Sequence, residues 1–79
     1  MSDEGLAIYP NPFEDVIRIQ TTEKLDRIKL FDSQGRWLAV EQRKIKNGYS
    51  LEVARLAAGV YVLDVVYSGR TKSFKVIKE

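Results

Sequence analysis

Seventy-nine residues, 44% of them apolar, with 13 Lys plus Arg against 11 Asp plus Glu and neither His nor Cys, make one small domain with a thin core. Without His or Cys there is no imidazole base, thiol nucleophile, zinc cluster or disulfide, and what remains points away from an enzyme, a cofactor or a metal site. No apolar run approaches the roughly 20 residues that cross a bilayer, and residues 1–5 lack the basic start and apolar stretch of a signal peptide, so a soluble chain is expected, with 1–5 an added start or linker remnant and 6–79 the domain.

Eight Val, six Ile, three Thr and eight Phe, Trp or Tyr give strand-forming residues a large share of the chain. Turn signals at Pro10-Asn11-Pro12, Asp32-Ser33-Gln34-Gly35, Lys46-Asn47-Gly48, Ala57-Ala58-Gly59 and Ser68-Gly69 cut it into short runs, the signature of an antiparallel sandwich or barrel. The first run is 6–9. Residues 15–21 place Ile17 and Ile19 on one face and Arg18 and Gln20 on the other. Residues 25–32 turn Ile28 and Leu30 inward and Arg27 and Lys29 outward, with Phe31 an apolar exception on the outer face. Residues 36–43 set Leu38 and Val40 against Trp37. Residues 49–53 group Tyr49, Leu51 and Val53; residues 60–67 are apolar on both faces apart from Asp64, as in a central strand; residues 70–78 set Phe74 and Val76 against Ser73 and Lys75. The alternation predicts seven strands and no long helix.

Turn chemistry predicts some connections. Asn47-Gly48 suits a type I′ hairpin turn, which needs positive φ at both central residues, and Ser68-Gly69 can do the same for the last two strands. Asp32 to Gly35 suits a longer loop with Gly35 in the left-handed region. Leu56, Gly59 and Tyr61 have the spacing of a tyrosine corner, in which a buried ring hydrogen-bonds through its hydroxyl to upstream backbone; an ordinary core tyrosine is the alternative.

The charge is uneven. Residues 1–15 carry Asp3, Glu4, Glu14 and Asp15 without a base, whereas residues 69–79 hold Arg70, Lys72, Lys75 and Lys78 against Glu79. The basic end reads as a solvated face that discourages edge-to-edge pairing rather than as a nucleic-acid site, which calls for a larger basic excess on one face. Glu14 and Asp15 sit on opposite faces if extended, so they read as a turn cap and not a cation site. Asp64 either pairs with a base on a neighbouring strand or faces water. Trp37, Tyr49, Tyr67 and Phe31 read first as core or cross-strand partners and second as a stacking platform for a sugar; Lys44 and Lys46 read as solvation.

Tyr9-Pro10-Asn11-Pro12-Phe13, then Val16-Ile17-Arg18-Ile19, Ile28-Lys29-Leu30-Phe31-Asp32 with Gly35 and Arg36, Leu51-Glu52-Val53, Leu56-Ala57-Ala58-Gly59-Val60-Tyr61, and the closing Lys72, Phe74, Val76, Ile77 and Lys78 form an ordered series. It resembles the type A C-terminal sorting domain of proteins exported by the type IX secretion system of the Bacteroidetes, over residues 6–79. The resemblance implies a seven-stranded antiparallel immunoglobulin-like β-sandwich that acts as a signal. Such a domain follows a cargo that has entered the periplasm by an ordinary N-terminal signal. It is read by the outer-membrane translocon and its shuttle, then removed by a sortase-like cysteine peptidase at the cell surface, commonly with transfer of the cargo to an anionic lipopolysaccharide. No nucleic acid and no direct membrane insertion are implied. Position by position, Tyr9 and Pro10-Asn11-Pro12 match the first motif, Gly35 the loop after Asp32, Gly59 and Tyr61 the Gly-x-Tyr motif, and Arg70, Lys72, Lys75 and Lys78 the basic C-terminal segment; the chain departs from many members in ending at Glu79. The last strand, if it lies at a sheet edge, is expected to accept a partner strand there, with charge complementarity to an acidic surface, and to permit a monomer or a strand-exchanged dimer. A carbohydrate-binding or spacer module of a secreted enzyme is the alternative.

Overall fold

The computed structural model of the chain describes residues 5–79, so most of the 1–5 segment expected as an added start lies outside the described residues. The strands are β1 (Leu6–Tyr9), β2 (Val16–Thr21), β3 (Arg27–Asp32), β4 (Trp37–Leu38), β5 (Glu41–Ile45), β6 (Gly48–Glu52), β7 (Gly59–Tyr67) and β8 (Arg70–Lys78), with no helix among the described residues. They form two four-stranded antiparallel sheets, ordered β1-β2-β6-β5 and β4-β3-β7-β8.

The expected count of seven strands is therefore corrected to eight. The run 36–43 is not one strand: Trp37 and Leu38 pair with Phe31 and Leu30 in one sheet, whereas from Glu41 onward the chain pairs with β6 in the other. The change of sheet falls at Ala39 and Val40, between two short edge strands. Every residue of β5 is exposed. With no side chain to bury, β5 has no apolar alternation to mark it; its charges suit a strand that must resist pairing with another molecule.

Elsewhere burial follows the alternation. Leu6, Ile17, Ile19 and Leu51 from one sheet and Ile28, Leu30, Leu63, Val65 and Val76 from the other belong to a single buried cluster, with Phe13 and Val53. β7 lies between β3 and β8, the central place its run suggested, and buries Tyr61, Leu63, Val65 and Tyr67 on one face while Val62, Asp64 and Val66 on the other are half-buried.

The β7–β8 turn is as expected: Tyr67 pairs with Arg70, and Ser68 (φ 50°) and Gly69 (φ 72°) both take positive φ. The β5–β6 turn is shifted by one residue. Ile45 pairs with Gly48, so Lys46 and Asn47 form the loop, Asn47 supplies the positive φ of 67°, and Gly48 already belongs to the strand. Gly48 is needed for close approach: a Cβ there would lie 1.8 Å from the carbonyl oxygen of Ile19 on β2, well inside any real contact distance. Gly35 takes φ 81° in the β3–β4 loop.

Candidate recognition site

Pro10 and Pro12 lack backbone N–H groups and fix φ, so the chain cannot continue β1 as a paired strand. The Tyr9–Pro10 and Asn11–Pro12 peptide bonds are both cis. The turn delivers Asn11 beside the last strand, where its carboxamide acts as a short piece of strand. Asn11 Nδ2 donates to the Lys75 carbonyl at 3.1 Å, and the Ile77 N–H donates to Asn11 Oδ1 at 2.9 Å. Phe13 continues the contact with backbone: its N–H donates to the Ile77 carbonyl at 2.7 Å and its carbonyl accepts from the Glu79 N–H at 3.0 Å, an isolated parallel bridge with Lys78.

Beneath this clamp the Phe13 ring is fully buried, 6.1 Å centroid to centroid from the Tyr61 ring. Tyr61 is buried, and its hydroxyl donates to the Ala57 carbonyl at 2.6 Å. The spacing of Leu56, Gly59 and Tyr61 thus closes a tyrosine corner at the entrance to β7. The Pro-Asn-Pro-Phe segment, the Gly-x-Tyr segment and the end of β8, far apart in sequence, form one contiguous cluster.

The basic residues of β8 do not act together. Lys78 is buried: its ammonium donates to the Glu14 carbonyl, reaches the Ala54 carbonyl at 3.4 Å, and lies 5.8 Å from the centre of the Phe13 ring. The expectation that Lys75 and Lys78 form one exchangeable basic edge is corrected, because alternate residues of a strand face opposite ways. Arg70, Lys72 and Lys78 share the face of the core residue Val76, with Lys72 half-buried, and Lys75 stands exposed on the other face, opposite Val62. Gly35 sits in the β3–β4 loop that follows Asp32, the residue opposite Tyr61, and Tyr9 is exposed on the other sheet, opposite Arg18.

β8 is the end strand of its sheet, and β1 is the end strand of the other. An open cleft of about 340 Å³ runs between them, lined by Leu6, Ala7, Ile8, Asn11, Phe74, Lys75 and Val76. Asn11 and Phe13 already occupy the outward backbone groups of Ile77 and the carbonyl of Lys75. The open cleft meets β8 at Phe74 and Lys75, just before this clamp. Sequence reasoning placed Asn11 in the motif but missed this role, and it did not single out Phe13 as a site residue; the signal was the first large apolar residue after the turn.

Other candidates resolve differently. The β3–β4 loop is organised by Asp32, whose carboxylate accepts from the backbone N–H groups of Gln34 and Arg36 and from Arg36 Nε, each at 2.9 Å. The backbone hydrogen bond from Arg36 is the chief cause holding the Asp32 carboxyl below its ordinary range, partly opposed by desolvation. Asp64 is half-exposed, and its partner is a hydroxyl rather than a base: it accepts from Ser73 Oγ at 2.7 Å. Glu14 and Asp15 work through backbone, the Asp15 carbonyl accepting from the Val53 N–H at 2.9 Å. The four-aromatic platform does not assemble. Tyr67 is buried, and the half-buried Tyr49 accepts from the Leu25 N–H through its hydroxyl at 3.3 Å. Only Phe31 and Trp37 stand together.

Fold and site define a small all-β module whose distinguishing chemistry is backbone hydrogen bonding around its own last strand. Residues 7–79 match the model of the secretion system C-terminal sorting domain, and the chain belongs to that family of type IX secretion signals. No curated protein matches the chain. Membership makes it a signal carried by a cargo rather than a catalytic domain, one that works with the type IX secretion machinery and directs export to the cell surface or beyond.

Proposed function

We propose that the folded domain is the form in which this signal is read: carried in transit through the periplasm, recognised by the shuttle and outer-membrane translocon of a bacterium of the Bacteroidetes, and removed at the surface by a sortase-like cysteine peptidase. The strand orders β1-β2-β6-β5 and β4-β3-β7-β8 support an immunoglobulin-like sandwich, since naming the strands A, B, C, C′, D, E, F and G in chain order gives sheets A-B-E-D and C′-C-F-G. A chain without cysteine suits a domain that folds in the periplasm without disulfide formation.

The observation that carries the recognition reading is the position of β8 at the end of its sheet, with its last residues held by Asn11 and Phe13 and the stretch before them bordering the open cleft. A partner strand laid along 71–75 gains main-chain hydrogen bonds, and the exposed Lys75 ammonium favours an acidic neighbour. The test fuses residues 6–79 behind a periplasm-directed fluorescent reporter in a bacterium with an active type IX system. Reporter at the surface, lost on deletion of the translocon and reduced by Lys75→Glu, is the expected result. Retention in the periplasm of a folded fusion rejects the reading.

Trp37, 64% exposed, favours a second reading, a carbohydrate-binding module of a secreted enzyme. Quenching of the single Trp on glycan titration distinguishes it; a spacer binds neither glycan nor secretion machinery.

A further inference from the structure

Of the exposed large apolar side chains among the described residues, Trp37, Val60 and Ile77 lie on the outer face of the β4-β3-β7-β8 sheet. Cross-strand register joins them. Trp37 stands opposite Phe31, Phe31 opposite Val62, and Val62 opposite Lys75, so one row crosses all four strands. The pair Val60 and Ile77 forms the adjacent row, two residues along β7 and β8. The core does not require these side chains: their inward neighbours Leu30, Tyr61, Leu63 and Val76 already fill it. A solvent-facing antiparallel surface is normally polar, and a contiguous apolar patch on a small domain marks an interaction site.

The charges around the patch select its occupant. Arg27 and Lys29 stand on the same face by register with Val66 and Asp64, Lys75 closes the row at β8, and the one carboxylate among them, Asp64, is hydrogen-bonded to Ser73. Lys29 Nζ lies 5.6 Å from the centre of the Trp37 ring, which leaves a cation at the rim of the aromatic. Two copies of such a face would bring like charges together, which disfavours self-association. We infer that this face docks a protein partner of the export machinery whose contact surface is an apolar strip bordered by carboxylates, with Trp37 as its aromatic anchor. This rests on the sorting reading. It adds to that reading a side-chain face that adjoins the β8 edge at Lys75 and Ile77 and extends from it across β7, β3 and β4.

The test uses the reporter fusion with Trp37→Thr plus Val60→Thr, neither on β8 itself and both compatible with strands. Loss of an aromatic anchor commonly costs tenfold or more in binding, so surface reporter should fall about tenfold while thermal melting of the purified chain stays close to that of the parent. Lys29→Glu should give a smaller loss that Lys29→Arg does not, which keeps the test valid if the double variant folds poorly. Ile45→Thr on the opposite sheet should export normally. If the parent fusion stays in the periplasm, the sorting reading falls and this inference with it; if the parent is exported and the face variants are exported equally well, this inference alone falls. A dimer in sedimentation equilibrium that Trp37→Thr dissolves, with export unchanged, overturns it in favour of self-association. Co-sedimentation with phosphatidylcholine–phosphatidylglycerol vesicles that Lys29→Glu abolishes, again with export unchanged, overturns it in favour of a membrane surface.

Discussion

Asn11 holds Ile77 as a neighbouring strand would: its carboxamide oxygen accepts the Ile77 N–H while its amide nitrogen donates to the Lys75 carbonyl. A side chain from the start of the domain thereby fixes the end of its last strand, 66 residues later. Asn11→Ala should lower stability by about 1–2 kcal/mol, the net worth of two exposed hydrogen bonds, read from the denaturant midpoint. Amide exchange should accelerate at Ile77 and not at Leu63. Asn11→Asp keeps one acceptor but sets a carboxylate oxygen against the Lys75 carbonyl, and should cost at least as much as Asn11→Ala.

Lys75 and Lys78 should separate. Lys78→Glu sets a carboxylate against the carbonyls of Glu14 and Ala54 in a buried site and should cost about 3 kcal/mol or more. Lys75→Glu, on the exposed face, should change melting little. Export assays of Lys78→Glu therefore report folding first, and only Lys75→Glu reports recognition.

Tyr61→Phe removes the hydroxyl that donates to the Ala57 carbonyl and leaves the ring against Phe13 in place. A loss of about 1 kcal/mol is expected, measurable by urea unfolding at unchanged m-value.

Gly48→Ala should destabilise far more than an ordinary surface change. The new methyl would meet the Ile19 carbonyl oxygen on backbone that two flanking strand pairs hold in place, so a cost of about 3 kcal/mol or more is expected. A soluble, natively folded Gly48→Ala chain with parental melting would contradict the packing of β6 on β2.

Acid should loosen the β3–β4 loop through Asp32. A carboxyl whose folded pKa lies below its unfolded value holds fewer protons when folded, so its stabilisation is complete above the ordinary carboxylate range and is lost as pH falls through the lowered value. Arg36 and Gln34 supply that lowering. A carboxyl-carbon NMR titration should show Asp32 protonating below the ordinary aspartate range, and Asp32→Ala should remove the corresponding acid-dependent change in the Trp37 signal.

Local chemistry is legible in the chain wherever a rule is short-range. Alternation marked the buried faces of 15–21, 25–32 and 60–67 because one side of each strand must leave water. Ser68-Gly69 marked its turn because few residues take positive φ cheaply, and Leu56, Gly59 and Tyr61 marked the corner because its hydrogen bond spans four residues. The ordered motifs marked the family.

Long-range geometry decided the rest. The break at Ala39 and Val40 left no trace in the sequence, because the wholly exposed β5 carries no apolar period and the change of sheet depends on partners elsewhere. Lys75 and Lys78 read alike as bases, yet one is exposed and the other is enclosed by Phe13, Glu14 and Ala54, since three residues along a strand reverse the face. Asn11 read as a turn residue and works as a clamp on β8, a role that exists only once the folded sheets bring the first turn beside the last strand. Most strands, the β7–β8 turn and the family are legible along the chain because they depend on neighbours in sequence; which charges are buried, which edge is held, where the chain changes sheet and which face is left open depend on neighbours across the fold.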